Sequence, residues 1–295
     1  MPAPPTDREP CHLVAILRAA CLLEAAAPKP GNVHPGAAFA DLSYADFVAS
    51  AEASAPHLAL AGRTGVGAAI LAAIEATTRV VRSNTNLGMA LLLAPLAAVD
   101  ENLPLAAGIC DVLQRLTQHD AALAYRAIRL AHPGGLGRVP HEDVWQEPQV
   151  GLLAAMQLAA DRDLIAAQYA GNFSLVLTTG IDFLAGFKDF ASAWQYAIVG
   201  LALTLHATHA DSLIARKCGG AVAAEASRRA GAVLAAGWPG APAGHAALAE
   251  FDDWLRADGH RRNPGAIADL TAACLFAALR EKRIALPEFV ARPGE

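Results

Sequence analysis

Long Ala- and Leu-rich stretches, broken by short polar segments, leave this chain little room for anything but packed helices. Hydrophobic residues make up 54% of its 295 residues and charged ones only 17%, enough to bury a large core. Aromatics are scarce at 6%, so small and aliphatic side chains must fill that core. That favours helices in close approach over a β-sandwich. Strand signals are weak, and only Ser174–Thr179 reads briefly as β-like. The expectation is an all-α fold: a loose, flexible tail over residues 1–10, then one compact multi-helix domain over 11–295.

The pattern predicts helices at Cys11–Ala26, Asp46–Ala55, Gly62–Val81, Gly88–Val99, Leu105–Arg115 and His119–Ala131. Further ones are expected at Val150–Tyr169, Phe190–His206, Ile214–Ala236, Ala246–Ala257 and Ala268–Arg280. Pro56 should end or kink the second, and Pro95 should kink the fourth.

Net charge is −5 with no run of basic residues, which argues against a nucleic-acid surface. Any phosphate grip must be local. The five cysteines are far apart, with no pair spaced for zinc or redox chemistry, so buried free thiols are expected. The first ten residues do not read as a signal peptide. Phe190–Ala210 is uncharged but carries Thr204, His206, Thr208 and His209, too polar for a comfortable membrane span. A buried core helix, a cytoplasmic location and no membrane partner follow as expectations.

Five interrupting segments carry more than helix breakers: Ala27–His34, Ser83–Gly88, His132–Gly137, Asp211–Lys217 and Asn263–Leu270. Each holds Lys, Arg, Asn, Asp or His, groups that grip phosphates and divalent ions, which suggests one site built from loops at helix ends. Each also has a plainer reading. Lys29 reads either as a phosphate contact or as a solvated turn lysine. Ser43 or Asp46 suits an N-cap, which leaves Asp41 freer to bind a metal. Asn84, Thr85 and Asn86 could meet an anion or merely cap the next helix. Gly134 and Gly135 let a ligand approach the backbone, or simply connect two helices. Asp211 could be a partly buried ligand or base, or the cap of a helix bearing solvated Arg216 and Lys217. Asp269 could bind metal or stabilise a helix start.

Taken in order, Glu24, Pro28-Lys29-Pro30-Gly31, Asp41, Phe47, Ser50, Asn84-Thr85, Gly88, Asp211, Arg216, Pro264-Gly265 and Ala268-Asp269-Leu270 resemble the triphosphoribosyl-dephospho-CoA synthase family. The resemblance spans roughly residues 15–280. It implies an all-helical transferase using ATP as substrate with Mg²⁺: the 2'-hydroxyl of 3'-dephospho-CoA attacks C1' of the ATP ribose and adenine departs. On this resemblance Asp211, Asp41 and His34 are the catalytic candidates. Lys29, Gly31, Asn32, Asn84, Thr85, Asn86, Gly134, Gly135, Arg216 and Lys217 would bind nucleotide and phosphate, and Asp41, Asp211 and Asp269 would hold the metal. One departure stands out: family members read Asn-Thr-His-Lys-Gly where this chain has Asn84-Thr85-Asn86-Leu87-Gly88.

Other stretches, among them Asn32-Val33-His34 and Asp161–Tyr169, look closer to a branch found in methanogenic archaea and methylotrophic bacteria. A transferase or ligase in tetrahydromethanopterin- or methanofuran-linked coenzyme biosynthesis is therefore a second expectation. A non-catalytic nucleotide-binding helical scaffold is a third. The partners expected are small nucleotide or coenzyme substrates, with a homodimer admitted.

Overall fold

The structure, a computed structural model, describes residues 9–135, 137 and 141–291. The chain builds α1 (Glu9–Ala26), α2 (Tyr44–Leu58), α3 (Ala61–Thr64), α4 (Val66–Val80), α5 (Leu87–Ala97), α6 (Leu105–Gln114), α7 (Gln118–Ala131) and α8 (Leu152–Ala159). It continues through α9 (Leu164–Ala170), a π-helical turn (Leu175–Gly180), α10 (Ile181–Ala185), α11 (Phe190–Thr208) and α12 (Ser212–Cys218). The last elements are α13 (Gly220–Ala235), α14 (Pro242–Arg256), α15 (Gly265–Arg280) and α16 (Glu288–Ala291). Among the described residues there is no strand, only two isolated bridges, His34 with Ala37 and Phe39 with Leu42. The fold is all-α, as expected.

Composition dictates the centre. α5 and α15 are apolar on nearly every face and buried along most of their length, so they can only be interior helices. α1 packs beside α15, and the small residues Ala19, Ala20, Ala272 and Ala273 in this core permit close approach. A second apolar cluster joins α11 to α12, α13 and α14 around Leu203, Ile214, Phe251 and Leu255. α11 contributes to both clusters, through Leu201 and Leu205 to one and Val199 and Leu203 to the other.

Several boundaries differ from expectation. The expected helix Gly62–Val81 is two, parted at Gly65 with φ +95°. Ile214–Ala236 is likewise divided at Gly219, φ +93°. Positive φ is nearly free for Gly, so a single such residue can turn the chain inside an otherwise helical composition. Val150–Tyr169 splits because the Asp163 side chain caps a fresh helix by accepting from Ile165 N and Ala166 N. Ser174–Thr179 is not β-like: it lies in the π-helical turn, packed against α15. Pro56 and Pro95 sit inside their helices without ending them.

α1 begins at Glu9, inside the expected tail, and the rest of that tail lies outside the described residues, as does Leu136 of the His132–Gly137 segment. Of the cysteines whose side chains are described, Cys21 and Cys274 are buried while Cys110 and Cys218 are half-exposed, and none is bridged. Among the described residues no single helix is long and apolar enough to cross a membrane.

Candidate functional site

The five polar segments meet at one end of the bundle. The Pro28–Gly31 turn leaves α1 and lies against α14: Gly31 N donates to Asp252 Oδ1 at 2.6 Å. Gly31 has φ +76°, and a Cβ there would come within 2.9 Å of Leu255 Cβ and Pro264 Cδ, so only glycine fits. Asn32 Nδ2 donates to Asn263 Oδ1 at 2.7 Å, tying this turn to the loop before α15. Arg256 holds both, pairing with Asp252 at 2.8 Å and donating to the Asn32 carbonyl. Its guanidinium stacks over Phe39, 5.3 Å from the ring centroid.

Lys29 does not reach into solvent. Its ammonium lies 2.8 Å from Glu24 Oε1 and also donates to the Glu24 and Ala27 carbonyls, with 1% of the side chain exposed. An ammonium has three N–H donors and all are taken, which corrects the phosphate role expected for it. Asp211 is also fully buried, and both its oxygens are engaged: Ile214 N donates to Oδ1 and Ile267 N to Oδ2, each at 2.9 Å. It therefore caps α12 and pins the start of α15 at once. Burial raises its carboxyl from an ordinary 3.8 to about 6, against the pull of those amides.

Asp269, on the second turn of α15, packs against the first turn of α5. The Met89 amide hydrogen-bonds it, and a Cβ on Gly88 would fall 1.9 Å from its Oδ2. Burial, then the charges of Glu24 and Asp211, hold its carboxyl well above the usual range. Lys29's partner Glu24, Asp211 and Asp269 are therefore neighbours, not scattered.

On the outer side, Arg216 donates to the Gly134 carbonyl at 3.2 Å and pairs loosely with Asp163 at 3.5 Å. Lys217 is half-buried under the same glycines: a Cβ on Gly134 would fall 2.9 Å from its Cε. Among the described residues the Lys217 ammonium makes neither a hydrogen bond nor an ion pair, while its backbone carbonyl accepts from Arg261. Desolvation, then Arg216, depresses its pKa. Asp41 is exposed, 3.6 Å from His260, and its backbone carbonyl accepts from Ser83 Oγ at 3.3 Å. His34 is half-buried with its pKa lowered by desolvation first, and Gly36 N donates to its Nδ1 at 3.2 Å. That leaves the neutral ring's proton on Nε2, so His34 presents a donor rather than a base.

Between α1, α2 and α5 lies a narrow cleft of about 10 Å³, lined by Cys21, Phe47, Ser50, Ala51, Thr85, Asn86 and Met89. Ser50 Oγ and Thr85 Oγ1 share a hydrogen bond, and Asn86 Nδ2 donates to Thr77 Oγ1 at 3.0 Å, which leaves the Asn86 carbonyl oxygen free to accept. Asn84 caps α5, its Oδ1 accepting from Leu87 N at 3.2 Å. Burial pushes the Cys21 thiol up to about 12, so it is a neutral wall. Leu87 is buried.

Asp41, Asp211 and Asp269 do not make a metal centre together. Among the described residues no three His, Cys, Asp or Glu side chains are placed to hold an ion, and Asp211 has no oxygen to spare. Sequence reasoning missed the Asp252–Arg256 clamp, whose only signal is opposite charge one helical turn apart. It also left Cys21 and Met89 out of the site, because nothing in an apolar helix marks which side chains border a cleft.

A crystal structure from Archaeoglobus fulgidus, provisionally described as a triphosphoribosyl-dephospho-CoA synthase, matches with 25% identity and a TM-score of 0.61. The match covers 79% of this chain and 98% of that one. No curated protein matches significantly. The family profile for ATP:dephospho-CoA triphosphoribosyl transferase matches residues 11–287. Over nearly its whole length, then, this chain belongs to the CitG family of triphosphoribosyl-dephospho-CoA synthase-like transferases.

Proposed function

We propose that the protein transfers the triphosphoribosyl group of ATP to 3'-dephospho-CoA, releasing adenine and forming 2'-(5''-triphosphoribosyl)-3'-dephospho-CoA. The observation that carries this is Lys217: a half-buried ammonium with no anionic partner, beside Arg216 and beneath the bare Gly134–Gly135 backbone. An ammonium with no ion pair, beside a guanidinium only loosely paired with Asp163, favours an incoming polyphosphate. A purine entering beside Phe47 would have to part the walls of the narrow cleft, and the Asn86 oxygen is free there to accept from its amino group. His34 Nε2, as a donor, and the exposed Asp41 carboxylate are the groups we assign to meet the acceptor.

Magnesium belongs here as a companion of the triphosphate, whose oxygens supply the hard ligands it favours, rather than as a resident of a protein-made cage. Asp41, with its exposed carboxylate, is the side chain open to add a ligand. ATP and dephospho-CoA as substrates would place the protein in the cytoplasm.

A second reading concerns the acceptor. Asn86 and Leu87 are both buried and supply no charge at the loop where family members read His-Lys, which favours a related coenzyme precursor as an alternative acceptor. The test is incubation with ATP, Mg²⁺ and dephospho-CoA, followed by chromatography. Free adenine and a product heavier by a triphosphoribosyl group support the proposal. ADP or AMP points to a kinase or ligase, and unchanged ATP with tight binding points to a nucleotide-binding scaffold.

A further inference from the structure

Arg256, Arg261 and Arg262 stand at or just beyond the end of α14, and two of them are spent on the fold. Arg256 pairs with Asp252 and donates to the Asn32 carbonyl. Arg262 donates to the Trp254 carbonyl at 2.9 Å, and its guanidinium lies over that indole, 4.6 Å from the ring centroid. Arg261 is held differently. Its Nη2 donates to the Lys217 carbonyl at 3.4 Å, and its Nη1 lies 3.6 Å from Asp258 Oδ2 in a pair whose side chains are 61% and 42% exposed. A guanidinium has five N–H donors, so most of those on Arg261 remain available. An ion pair so open to solvent contributes little and yields readily to a stronger anion.

The position of Arg261 is nonetheless fixed. Cys218 Sγ donates to the Arg261 carbonyl at 3.5 Å, returning the contact that Arg261 makes to Lys217. These two bonds fasten Arg261 to the last turn of α12, the helix that carries Arg216 and Lys217. The preceding residue, His260, has its Nε2 3.6 Å from the Asp41 carboxylate, whose charge Lys217 also feels. Arg261 therefore adjoins both the cations assigned to the donor's triphosphate and the carboxylate assigned to the acceptor.

We propose that Arg261 binds the diphosphate of the acceptor, 3'-dephospho-CoA. This rests on the transfer reading above and names the residue that receives the second phosphate chain. Donor and acceptor are both polyanions, and their repulsion grows as the 2'-hydroxyl nears C1'. Arg216 and Lys217 offset the charge of one chain. The planar fork of Arg261 offers two parallel N–H groups to oxygens of the other.

Steady-state kinetics of adenine release separate the two substrates. Arg261→Gln is neutral but keeps an N–H for the Lys217 carbonyl, and Arg261→Ala removes both functions. Each should raise KM for 3'-dephospho-CoA by about 10- to 100-fold, while KM for ATP and kcat stay within about threefold. Adenosine presents the same 2'-hydroxyl without phosphates, and its inhibition constant against the acceptor should be equal for wild type and both variants. An unchanged acceptor KM, an equal rise for both substrates, or adenosine inhibition weakened as much as the acceptor overturns the assignment. A Gln variant matching wild type while the Ala variant fails reduces Arg261 to a clasp on α12, and overturns it too. A wild-type protein that releases no adenine overturns the transfer reading, and this inference with it. Adenine release with an unchanged acceptor KM in the variants removes this inference alone.

Discussion

Lys29 Nζ and Glu24 Oε1 lie 2.8 Å apart, with 1% and 3% of their side chains exposed. A pair so enclosed is a structural fixture of the turn leaving α1, and removing one partner strands the other. Lys29→Met should cost roughly 3–5 kcal/mol, because Glu24 is left charged and desolvated. Lys29→Met with Glu24→Leu should recover most of that loss. Urea denaturation of the four proteins in this cycle measures the coupling, and additive losses would show that the pair does not act as a unit.

Asp211 gives the fold a pH dependence of definite sign. Its carboxyl is raised from 3.8 to about 6 in the folded chain, so the folded state holds the proton more tightly than the unfolded one. The resulting stability is complete below about pH 4 and is lost as pH rises through about 6. Asp211→Asn keeps one accepting oxygen and cannot titrate. The Tm of wild type should therefore lose ground to that of the variant between those limits, and a constant difference would rule out the titration.

Lys217→Ala should weaken ATP binding far more than it weakens the fold. One charge-assisted contact contributes about 1.5–3 kcal/mol, which is roughly a 10- to 100-fold rise in KM for ATP. Because Lys217 has no internal ion pair, Tm should move by no more than a degree or two, consistent with a loss of roughly 0.5 kcal/mol or less. A large fall in Tm with unaltered KM would assign Lys217 to packing instead.

Gly88→Ala places a methyl where Asp269 Oδ2 now lies, 1.9 Å away. The clash must push the carboxyl off the α5 turn, at about 1–3 kcal/mol. Adenine release should fall by at least about tenfold, in parallel with that displacement. Retained activity with a lowered Tm would show that Asp269 can move without consequence for the reaction.

Much of this was legible in the sequence because helices and their interruptions are written in composition. The all-α fold and the grouping of five polar segments at helix ends follow from where Ala, Leu, Gly and charged residues fall. Enclosure was not legible. Lys29 reads as open to a phosphate or to water because a charge in a Gly/Pro-rich turn normally faces solvent, and Asp211 reads as only partly buried; tertiary packing encloses both completely. The breaks at Gly65 and Gly219 were hidden because a glycine inside an apolar run does not reveal its φ. The π-helical turn was hidden because β-branched residues in a short stretch suit a strand until α15 packs against them.

The double hold of Asp211 on α12 and α15 has a mechanical result. The helix bearing Arg216 and Lys217 is anchored to the helix bearing Asp269 by one side chain, so the cationic jaw and the acidic jaw keep a fixed gap before any nucleotide arrives. A ligand entering between them has little ordering left to impose, and selectivity among nucleotides becomes a matter of length: only a nucleotide long enough to set its phosphates on the cationic jaw while its other end reaches across the gap meets both.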